Sequence, residues 1–269
     1  MGESIRAEAK PTHHKCTLGC AVLDGCLGGG IPTNSVTEIV AESGIGKTQL
    51  CLQLCLSAQL PASSGGLSGS SLYLHTEFPF PSRRLHQLSI GFAGRFPDSG
   101  TSCDNIFVHS VDTAEELLHI IPKLESFILN CKSELPVRVL VIDSISALFR
   151  ADFENTAGDL KKRSSMFFKI SGCVKALARR FDMAVVVTNQ VADLVEGEDQ
   201  EMGMVSSGRR VRPALGLAWA SCVNSRVFLS RDHGGEKREM QVVFAPHLEH
   251  SSSQFVIKRE GVFGVGRED

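Results

Sequence analysis

The stretch Ala41-Glu42-Ser43-Gly44-Ile45-Gly46-Lys47-Thr48 decides the fold of this 269-residue chain. It follows an apolar run at 36–40 and opens a segment with helical periodicity that starts at Lys47. Between a strand and a helix, glycines let the backbone turn so that successive amide groups point at one position and form a nest for an anion. The sequence therefore predicts a phosphate-binding loop at the end of a strand.

The end of this stretch, Gly46-Lys47-Thr48, matches the Walker A motif of nucleotide-binding proteins. We expect Lys47 to place its charge beside the β- and γ-phosphates and the Thr48 hydroxyl to ligate Mg²⁺. Ala41 stands where the motif has its first glycine, a replacement that the backbone tolerates if φ stays negative. A chance Gly-Lys-Thr at a helix start is the alternative interpretation.

Further polar side chains stand where apolar runs end. Asp143 closes the run 139–142 and is predicted to be a Walker B carboxylate that holds Mg²⁺ through water. Glu77 and Gln190 follow two other runs, and parallel strands bring such ends to one sheet edge where ligands bind. We expect Glu77 to be the base for the attacking water and Gln190 to sense the γ-phosphate. A surface acid and a structural amide remain the alternatives.

Apolar runs alternate with helical patterns along the chain. Predicted strands are 36–40, 71–75, 106–109, 137–142 and 183–188, and predicted helices lie near 47–60, 82–92, 113–131 and 163–181. The runs are nearly continuous in Val, Ile and Leu, which is typical of parallel strands covered on both faces. After residue 215 the pattern changes to strands joined by turns, at 222–230, 239–245 and 254–258. The sequence predicts an α/β fold whose mostly parallel central sheet is flanked by helices and extended by an antiparallel C-terminal β tail.

Local signals refine this prediction. Thr113 and Glu116 form a capping box at the start of one helix, and Pro122 should kink that helix or split it in two. The small, polar segment 61–71 is predicted to be a surface connector. The segment 192–213 shows no apolar periodicity and is predicted to be a mobile loop.

Composition limits the class of protein. With 42% hydrophobic and 22% charged residues and a formal net charge of −2, the chain is neither disordered nor basic all over, so any nucleic-acid site must be local. No apolar run approaches the ~20 residues of a membrane span, and the start MGESIRAEAK does not resemble a signal peptide. The nine cysteines contain no CxxC pair and indicate free thiols in a reducing compartment, with a zinc site at Cys16 and Cys20 as the alternative.

In their order along the chain, these motifs resemble the RecA/Rad recombinases, and among them the eukaryotic Rad recombinase paralogues. The resemblance covers about residues 16–264 and is carried by Leu18-Gly19-Cys20, Gly28-Gly29-Gly30-Ile31-Pro32, the phosphate loop, Tyr73-x2-Thr76-Glu77, Arg83-Arg84-Leu85, Val141-Ile142-Asp143-Ser144, Thr188-Asn189-Gln190-Val191, Pro213–Ala220 and Ala245-Pro246-His247-Leu248.

The resemblance implies a RecA-like P-loop NTPase core over 16–269, after a flexible extension at 1–15 and without the helical N-terminal domain of catalytic recombinases. It implies ATP and Mg²⁺ as ligands, with Arg84 stacked on the adenine ring. The nucleotide contacts expected in total are Ala41, Glu42, Ser43, Gly44, Ile45, Gly46, Lys47, Thr48, Gln49, Arg84 and Asp143, with Lys47, Glu77 and Gln190 in catalysis and Thr48 and Asp143 at the metal.

The resemblance also implies a role in homologous-recombination repair in the nucleus, with the cytoplasm as a further location. We expect a weak, DNA-stimulated ATPase that pairs with a sister paralogue of the C type through an interface containing ATP, rather than a self-polymerising filament. The alternative is a scaffold that binds ATP as interface glue without hydrolysing it. Two departures from the family, Phe78-Pro79 after the candidate base and Trp219 in place of a histidine, cast doubt on ordinary filament turnover.

Two segments correspond to loops that face DNA in the relatives. Residues 150–163 hold four basic against three acidic residues, a net charge of +1, and residues 191–213 hold three arginines against five acids, a net charge of −2. An acidic loop is a poor clamp for phosphates, so we expect weak binding of single-stranded or branched DNA by the chain alone. A solvated loop of mixed charge is the alternative. The candidate DNA contacts are Arg150, Lys161, Lys162, Arg209, Arg210 and Arg212.

Overall fold

The computed structural model describes residues 14–150, 156–194, 203–235 and 237–266. The predicted extension 1–15 therefore lies almost entirely outside the described residues, as do several acids of the two candidate DNA segments. Lys15, the last residue of that predicted extension, already belongs to a short strand, in which it pairs with Pro32.

A nine-stranded sheet forms the centre of the fold, in the order β14-β13-β12-β11-β3-β7-β6-β4-β5. The strands are β1 Lys15–Cys16, β2 Ile31–Pro32, β3 Ser35–Ala41, β4 Ser70–His75, β5 Ile106–Ser110, β6 Val137–Asp143, β7 Ala184–Asn189, β8 Val191–Asp193, β9 Met204–Ser206, β10 Arg209–Pro213, β11 Ser225–Arg231, β12 Arg238–Phe244, β13 Ser252–Ile257 and β14 Val262–Gly264. The six strands from β11 to β5 run parallel to their neighbours, and β12, β13 and β14 continue the sheet antiparallel.

The predicted fold class is confirmed, with one change at the junction of its two parts. The first strand of the predicted antiparallel tail, β11, lies parallel to β3 and pairs Leu229 with Ala41. It is antiparallel only to β12. Between β7 and β11 the chain passes through β8, β9, β10 and α6. A connection of this length returns the chain to the start of the sheet, so β11 can pair with β3 in parallel.

Helices cover both faces of the sheet: α1 Ala21–Cys26, α2 Lys47–Ser57, α3 Ser82–Arg95, α4 Ala114–Asn130, α5 Ala157–Phe181 and α6 Gly216–Ala220. Side chains of one strand alternate between two buried clusters. Tyr73 joins α1, α2 and α3 in one cluster, while Leu72 and Leu74 join α4, α5 and α6 in the other. This double coverage is why the strands have nearly continuous apolar sequences.

Helix starts follow their capping residues. The predicted cap of α4 is present, because Thr113 Oγ1 accepts a hydrogen bond from the Glu116 amide at 3.1 Å. The helix then continues through Pro122 as a single element, so it is not split there, and a kink at Pro122 stays a prediction. The helix predicted at 163–181 begins earlier, at Ala157, because Thr156 Oγ1 accepts from the Asp159 amide at 3.1 Å.

The segment predicted to be an irregular loop at 192–213 contains three strands in its described part. β10 pairs with β8 on one side and with β9 on the other. The β9–β10 hairpin turns through Ser207 and Gly208, whose φ angles are +52° and +73°. Two positive φ angles in a two-residue loop give the twist that joins tightly paired strands, and Ser-Gly was the sequence signal for it.

The cysteines agree with the predicted free thiols. All nine are free; five of them are buried, and Cys173 is exposed. Burial raises the pKa of Cys55 to about 12 and raises that of Cys51 well above its usual value. Within the ranges that the structure describes, no helix is long and apolar enough to cross a membrane.

Gln53 ties the helix that follows the phosphate loop to both ends of the fold. Its side chain is buried, and Nε2 donates to the Leu18 carbonyl at 2.6 Å and to the Val262 carbonyl at 3.0 Å. Its Oε1 accepts from the Val262 amide at 2.7 Å. One amide group thus satisfies three backbone groups that would otherwise be buried without partners.

We predict that Gln53→Met lowers the free energy of unfolding by about 2–4 kcal/mol, because it leaves buried backbone groups unsatisfied at nearly constant volume. Urea unfolding monitored by circular dichroism measures the change. Gln254→Met, at an exposed position of β13, is the control and should change stability little. Equal stabilities for the two variants would contradict the role assigned to Gln53.

Candidate nucleotide site

The phosphate loop has the backbone that the sequence predicts. β3 ends at Ala41 and α2 begins at Lys47. Gly44 and Gly46 have φ angles of +77° and +130°, whereas Ala41 has no positive φ, so its side chain is tolerated. A Cβ on Gly46 would lie 2.7 Å from Ile257 Cδ1, which excludes larger residues there.

Lys47 is buried at the mouth of this loop, with 9% of its surface exposed. Its Nζ donates to the carbonyl oxygens of Ala41 at 2.8 Å and Glu42 at 3.0 Å. Burial lowers the pKa of Lys47, and the charge of Asp143 opposes that shift. A buried ammonium group held by neutral carbonyls beside open space fits an incoming phosphate, which offers it charged oxygens.

A cavity of about 740 Å³ opens beside Lys47 and collects most of the predicted site. Its lining includes Ser43, Gly44, Gly46, Lys47, Thr48, Gln49, Glu77, Arg84, Asp143 and Gln190. Three predicted contacts do not line it: Ala41 and Ile45 are fully buried in the core, and the Glu42 carboxylate points to another part of the chain. Parallel strands of matched register explain how residues so far apart in sequence meet.

Asp143 is the point where the strand ends converge. Its Oδ2 accepts hydrogen bonds from Thr48 Oγ1 at 2.7 Å and from the Tyr73 hydroxyl at 2.6 Å, and its Oδ1 accepts from Thr188 Oγ1 at 2.5 Å. Burial, followed by the charge of Asp143, raises the pKa of Tyr73 well above its usual value. A hydroxyl and a carboxylate at this distance suit Mg²⁺, which binds oxygen ligands and retains waters.

Tyr73 and Thr188 were missed in the sequence, although both stand near the ends of predicted strands. Tyr73 was quoted as part of a motif, and Thr188 closes the apolar run before Gln190. Their hydroxyl groups donate to the Asp143 carboxylate and orient it, a role that only the register of β4, β6 and β7 makes visible.

The candidate base Glu77 has two hydrogen-bonding partners. Gln190 Nε2 donates to Glu77 Oε2 at 3.0 Å, so the predicted sensor and base are in direct contact. Arg150, predicted to contact DNA, donates from Nη1 to Glu77 Oε1 at 3.0 Å. The structure therefore places one of the candidate DNA residues at the nucleotide site.

Arg84 forms the wall opposite the phosphate loop. Its Nε donates to Gln49 Oε1 at 2.7 Å, and its Nη groups donate to the carbonyls of Lys258 at 2.7 Å and Arg259 at 2.9 Å. These bonds fix the guanidinium plane at the cavity rim. A planar cation held in this way can stack on an aromatic base.

Arg238 is a lining residue that sequence reasoning missed. It begins β12, opposite Phe255, and Phe255 lies next to Gly46 of the phosphate loop. Its Nε is buried and has no hydrogen-bond partner among the described residues. A buried, unsatisfied donor is costly unless a ligand provides the acceptor.

Glu42 points away from the cavity to the β9–β10 hairpin. Its carboxylate is 7% exposed and accepts from Ser206 Oγ at 3.0 Å, Ser207 Oγ at 2.5 Å and Arg209 Nη2 at 2.5 Å. Burial alone would raise its pKa, but the bonds from Ser207, Arg209 and Ser206 lower it below the usual value. The phosphate loop is thus tied directly to the second candidate DNA segment.

The candidate DNA residues fall into different surroundings. Arg209 faces Glu42 and Asp193, whereas Arg210 and Arg212 lie on the other side of β10 and are exposed. Lys161 and Lys162 are in the first turns of α5 rather than in a loop, and Lys162 lies 3.6 Å from Glu115. Successive side chains of β10 point to opposite faces, which separates Arg209 from Arg210 and Arg212. The early start of α5 places the two lysines on a helix.

Comparison with known proteins settles the family. The Rad51 family profile matches residues 11–265. The chain belongs to the Rad51 family. Members of this family are ATPases with a RecA-like fold, so the predicted relationship to RecA/Rad recombinases is confirmed.

Individual relatives agree. The chain is 52% identical to a protein of Arabidopsis thaliana named DNA repair protein XRCC3 homolog, over 95% of this chain and 94% of the relative. It is 33% identical to mouse DNA repair protein XRCC3, over 94% and 76%, and 35% identical to the Arabidopsis meiotic recombination protein DMC1 homolog, over 92% and 68%. The predicted resemblance to eukaryotic Rad recombinase paralogues is thereby confirmed, and two of these relatives carry the name XRCC3.

The lowered pKa of Glu42 predicts how its stabilising effect depends on pH. A depressed pKa in the folded state stabilises the fold above the unfolded value of about 4.3, and this stabilisation is lost as the pH falls through the folded value. Glu42→Gln should therefore be less stable than wild type near neutral pH, and the difference should shrink below about pH 4.3. Urea unfolding at several pH values measures it.

The control for removing one negative charge is Glu249→Gln, at an exposed position. A Glu42→Gln deficit that stays constant down to strongly acidic pH would contradict the prediction.

Proposed function

We propose that this chain is an ATP-binding recombinase paralogue that acts in DNA repair by homologous recombination and hydrolyses ATP slowly, with Mg²⁺ and with stimulation by DNA. The observation that supports this most is one cavity that combines Lys47, the Thr48–Asp143 pair and the Glu77–Gln190 pair. The printed names of the relatives, which are DNA repair and recombination proteins, support the cellular role.

The roles of the residues follow from their positions. Lys47 and the loop amides bind the phosphates, Thr48 and Asp143 hold the metal, and Mg²⁺ when bound neutralises the charge of the phosphate oxygens. Glu77 accepts the proton of the attacking water and Gln190 orients Glu77. Arg84 covers the base of the nucleotide.

We propose further that the chain works with a sister recombinase paralogue of the C type, in the nucleus. In this proposal ATP lies at the interface, and the segment 245–248 covers the nucleotide of the neighbour. Single-stranded or branched DNA binds weakly to the chain alone, because two of the candidate DNA arginines are already paired with acids.

A scaffold that binds ATP without hydrolysing it is the second candidate. One observation favours it: both oxygens of Glu77 accept hydrogen bonds, from Arg150 and Gln190, and these partners compete with an attacking water. In that case the nucleotide would serve as structural glue between two protomers.

Single-turnover hydrolysis with protein in excess over ATP distinguishes the two candidates. We predict measurable hydrolysis in the presence of Mg²⁺ and single-stranded DNA, and a loss of about 100-fold or more in Glu77→Gln, because a general base contributes factors of that size. Nucleotide binding, measured with a fluorescent ATP analogue, should be retained in Glu77→Gln and lost in Lys47→Ala. Tight ATP binding without any turnover by wild type, alone or with its partner, would favour the scaffold.

We also predict that Arg238 contacts a phosphate. Arg238→Gln should weaken nucleotide binding about tenfold, the loss expected for one hydrogen bond to a charged group. Lys237→Gln is the matched control, since it removes the same charge from the adjacent, exposed position. Equal affinities of the two variants for the fluorescent analogue would exclude this contact.

A further inference from the structure

Arg150 stands between the candidate base and the first candidate DNA segment. Its Nη1 lies 3.0 Å from Glu77 Oε1, while Gln190 occupies Glu77 Oε2. The guanidinium group therefore occupies the Glu77 oxygen that Gln190 leaves open to an attacking water.

The backbone next to Arg150 is held firmly. Phe149 is buried, its ring packs edge-on against Phe167 at 4.6 Å, and Phe167 packs edge-on against Trp219 at 5.4 Å. This aromatic stack joins the end of the Ala147–Phe149 turn to α5 and α6. The residue before Arg150 is thus anchored in the core, and the Arg150 side chain can change partner from there.

The side chain of Arg150 is accessible to a second partner. It is 54% exposed, and Glu77 is 30% exposed. Ion pairs at this exposure contribute little stability in water. A phosphate offers arginine two parallel hydrogen bonds and additional negative charge, so it competes well against one carboxylate oxygen.

The pair between Arg209 and Glu42 differs in this respect. Glu42 is 7% exposed and also accepts hydrogen bonds from Ser206 and Ser207. If Arg209 left, the buried Glu42 carboxylate would lose its cationic partner. A buried charge without a charged partner is unfavourable. Of the two acid–arginine pairs, the one at Glu77 is suited to exchange.

We propose that Arg150 is a positioning residue for Glu77 whose guanidinium exchanges between that carboxylate and a phosphate of single-stranded nucleic acid. Without nucleic acid, Arg150 occupies Glu77 Oε1 and competes with the attacking water for that oxygen. With nucleic acid, Arg150 moves to the phosphate, and Glu77 keeps its contact with Gln190 and accepts the proton of water. The exchange gives DNA stimulation a physical basis and rests on the proposed role of Glu77 as the base.

A double-mutant cycle on nucleic-acid binding tests the exchange without any hydrolysis. The full chain, Glu77→Gln, Arg150→Gln and the double variant are titrated with a fluorescein-labelled oligo-dT strand in the absence of nucleotide, followed by anisotropy. We expect Glu77→Gln to bind several-fold more tightly than wild type, because Arg150 is released. In the Arg150→Gln background the same substitution should give only the small effect of removing one charge, for which Glu249→Gln is the reference.

The salt dependence provides a second readout. On a single strand, each phosphate neutralised adds about 0.7 to the slope of log affinity against log salt. Glu77→Gln should steepen that slope by up to about 0.7, and in the Arg150→Gln background the same substitution should leave the slope unchanged. Additive effects of the two substitutions on affinity would overturn the proposal.

Hydrolysis provides the functional readout. Arg150→Gln should raise single-turnover hydrolysis in the absence of DNA and lose its stimulation by oligo-dT, while the affinity for the fluorescent ATP analogue stays unchanged. Arg179→Gln, at an exposed position of α5, is the control. A fall in DNA-free hydrolysis in Arg150→Gln would overturn the inhibitory role. If wild type shows no hydrolysis at all, the proposed ATPase fails, and the binding cycle still decides whether the exchange exists.

Discussion

The site depends on one carboxylate that accepts hydrogen bonds from the hydroxyl groups of three different elements. Asp143, at the end of β6, accepts from Thr48 of α2, Tyr73 of β4 and Thr188 of β7. These bonds hold neighbouring strand ends at fixed heights along the sheet edge. The candidate base and sensor follow within a few residues of those ends, so their contact is a consequence of this convergence. Displacing any one strand would separate the polar groups that now meet at this edge.

Much of this arrangement could be predicted from the sequence. Continuous apolar runs, the Gly-x-Gly-Lys-Thr loop and polar residues at strand ends are local patterns, and they identify the parallel sheet and its functional edge. The partners of Glu77 and Glu42 could not be predicted in the same way, because Arg150 and Arg209 reach them from segments distant in sequence. The β9–β10 hairpin was missed because polar residues conceal the alternation of its short strands.

Two arginines near the phosphate loop are paired with buried acids of β3 and of the loop itself. Arg226 is buried against Glu38 beneath the phosphate loop, and Arg209 is bonded to Glu42 beside it. Glu38 and Glu42 thus pair with arginines that a simple count of basic residues would treat as available to nucleic acid. The total of 28 Lys and Arg residues therefore overstates how much positive charge remains available to a polyanion.

The tight turn at Ser207 and Gly208 decides which side chains of the second candidate DNA segment face inward and which face outward. By pairing Ser206 with Arg209, it sets which side chains of β10 face inward. The odd-numbered side chains of β10 face the phosphate loop and the core, and its even-numbered side chains face outward. Whether an arginine of β10 faces the phosphate loop or the outside therefore depends on whether its position is odd or even, and a single inserted residue would exchange the two orientations.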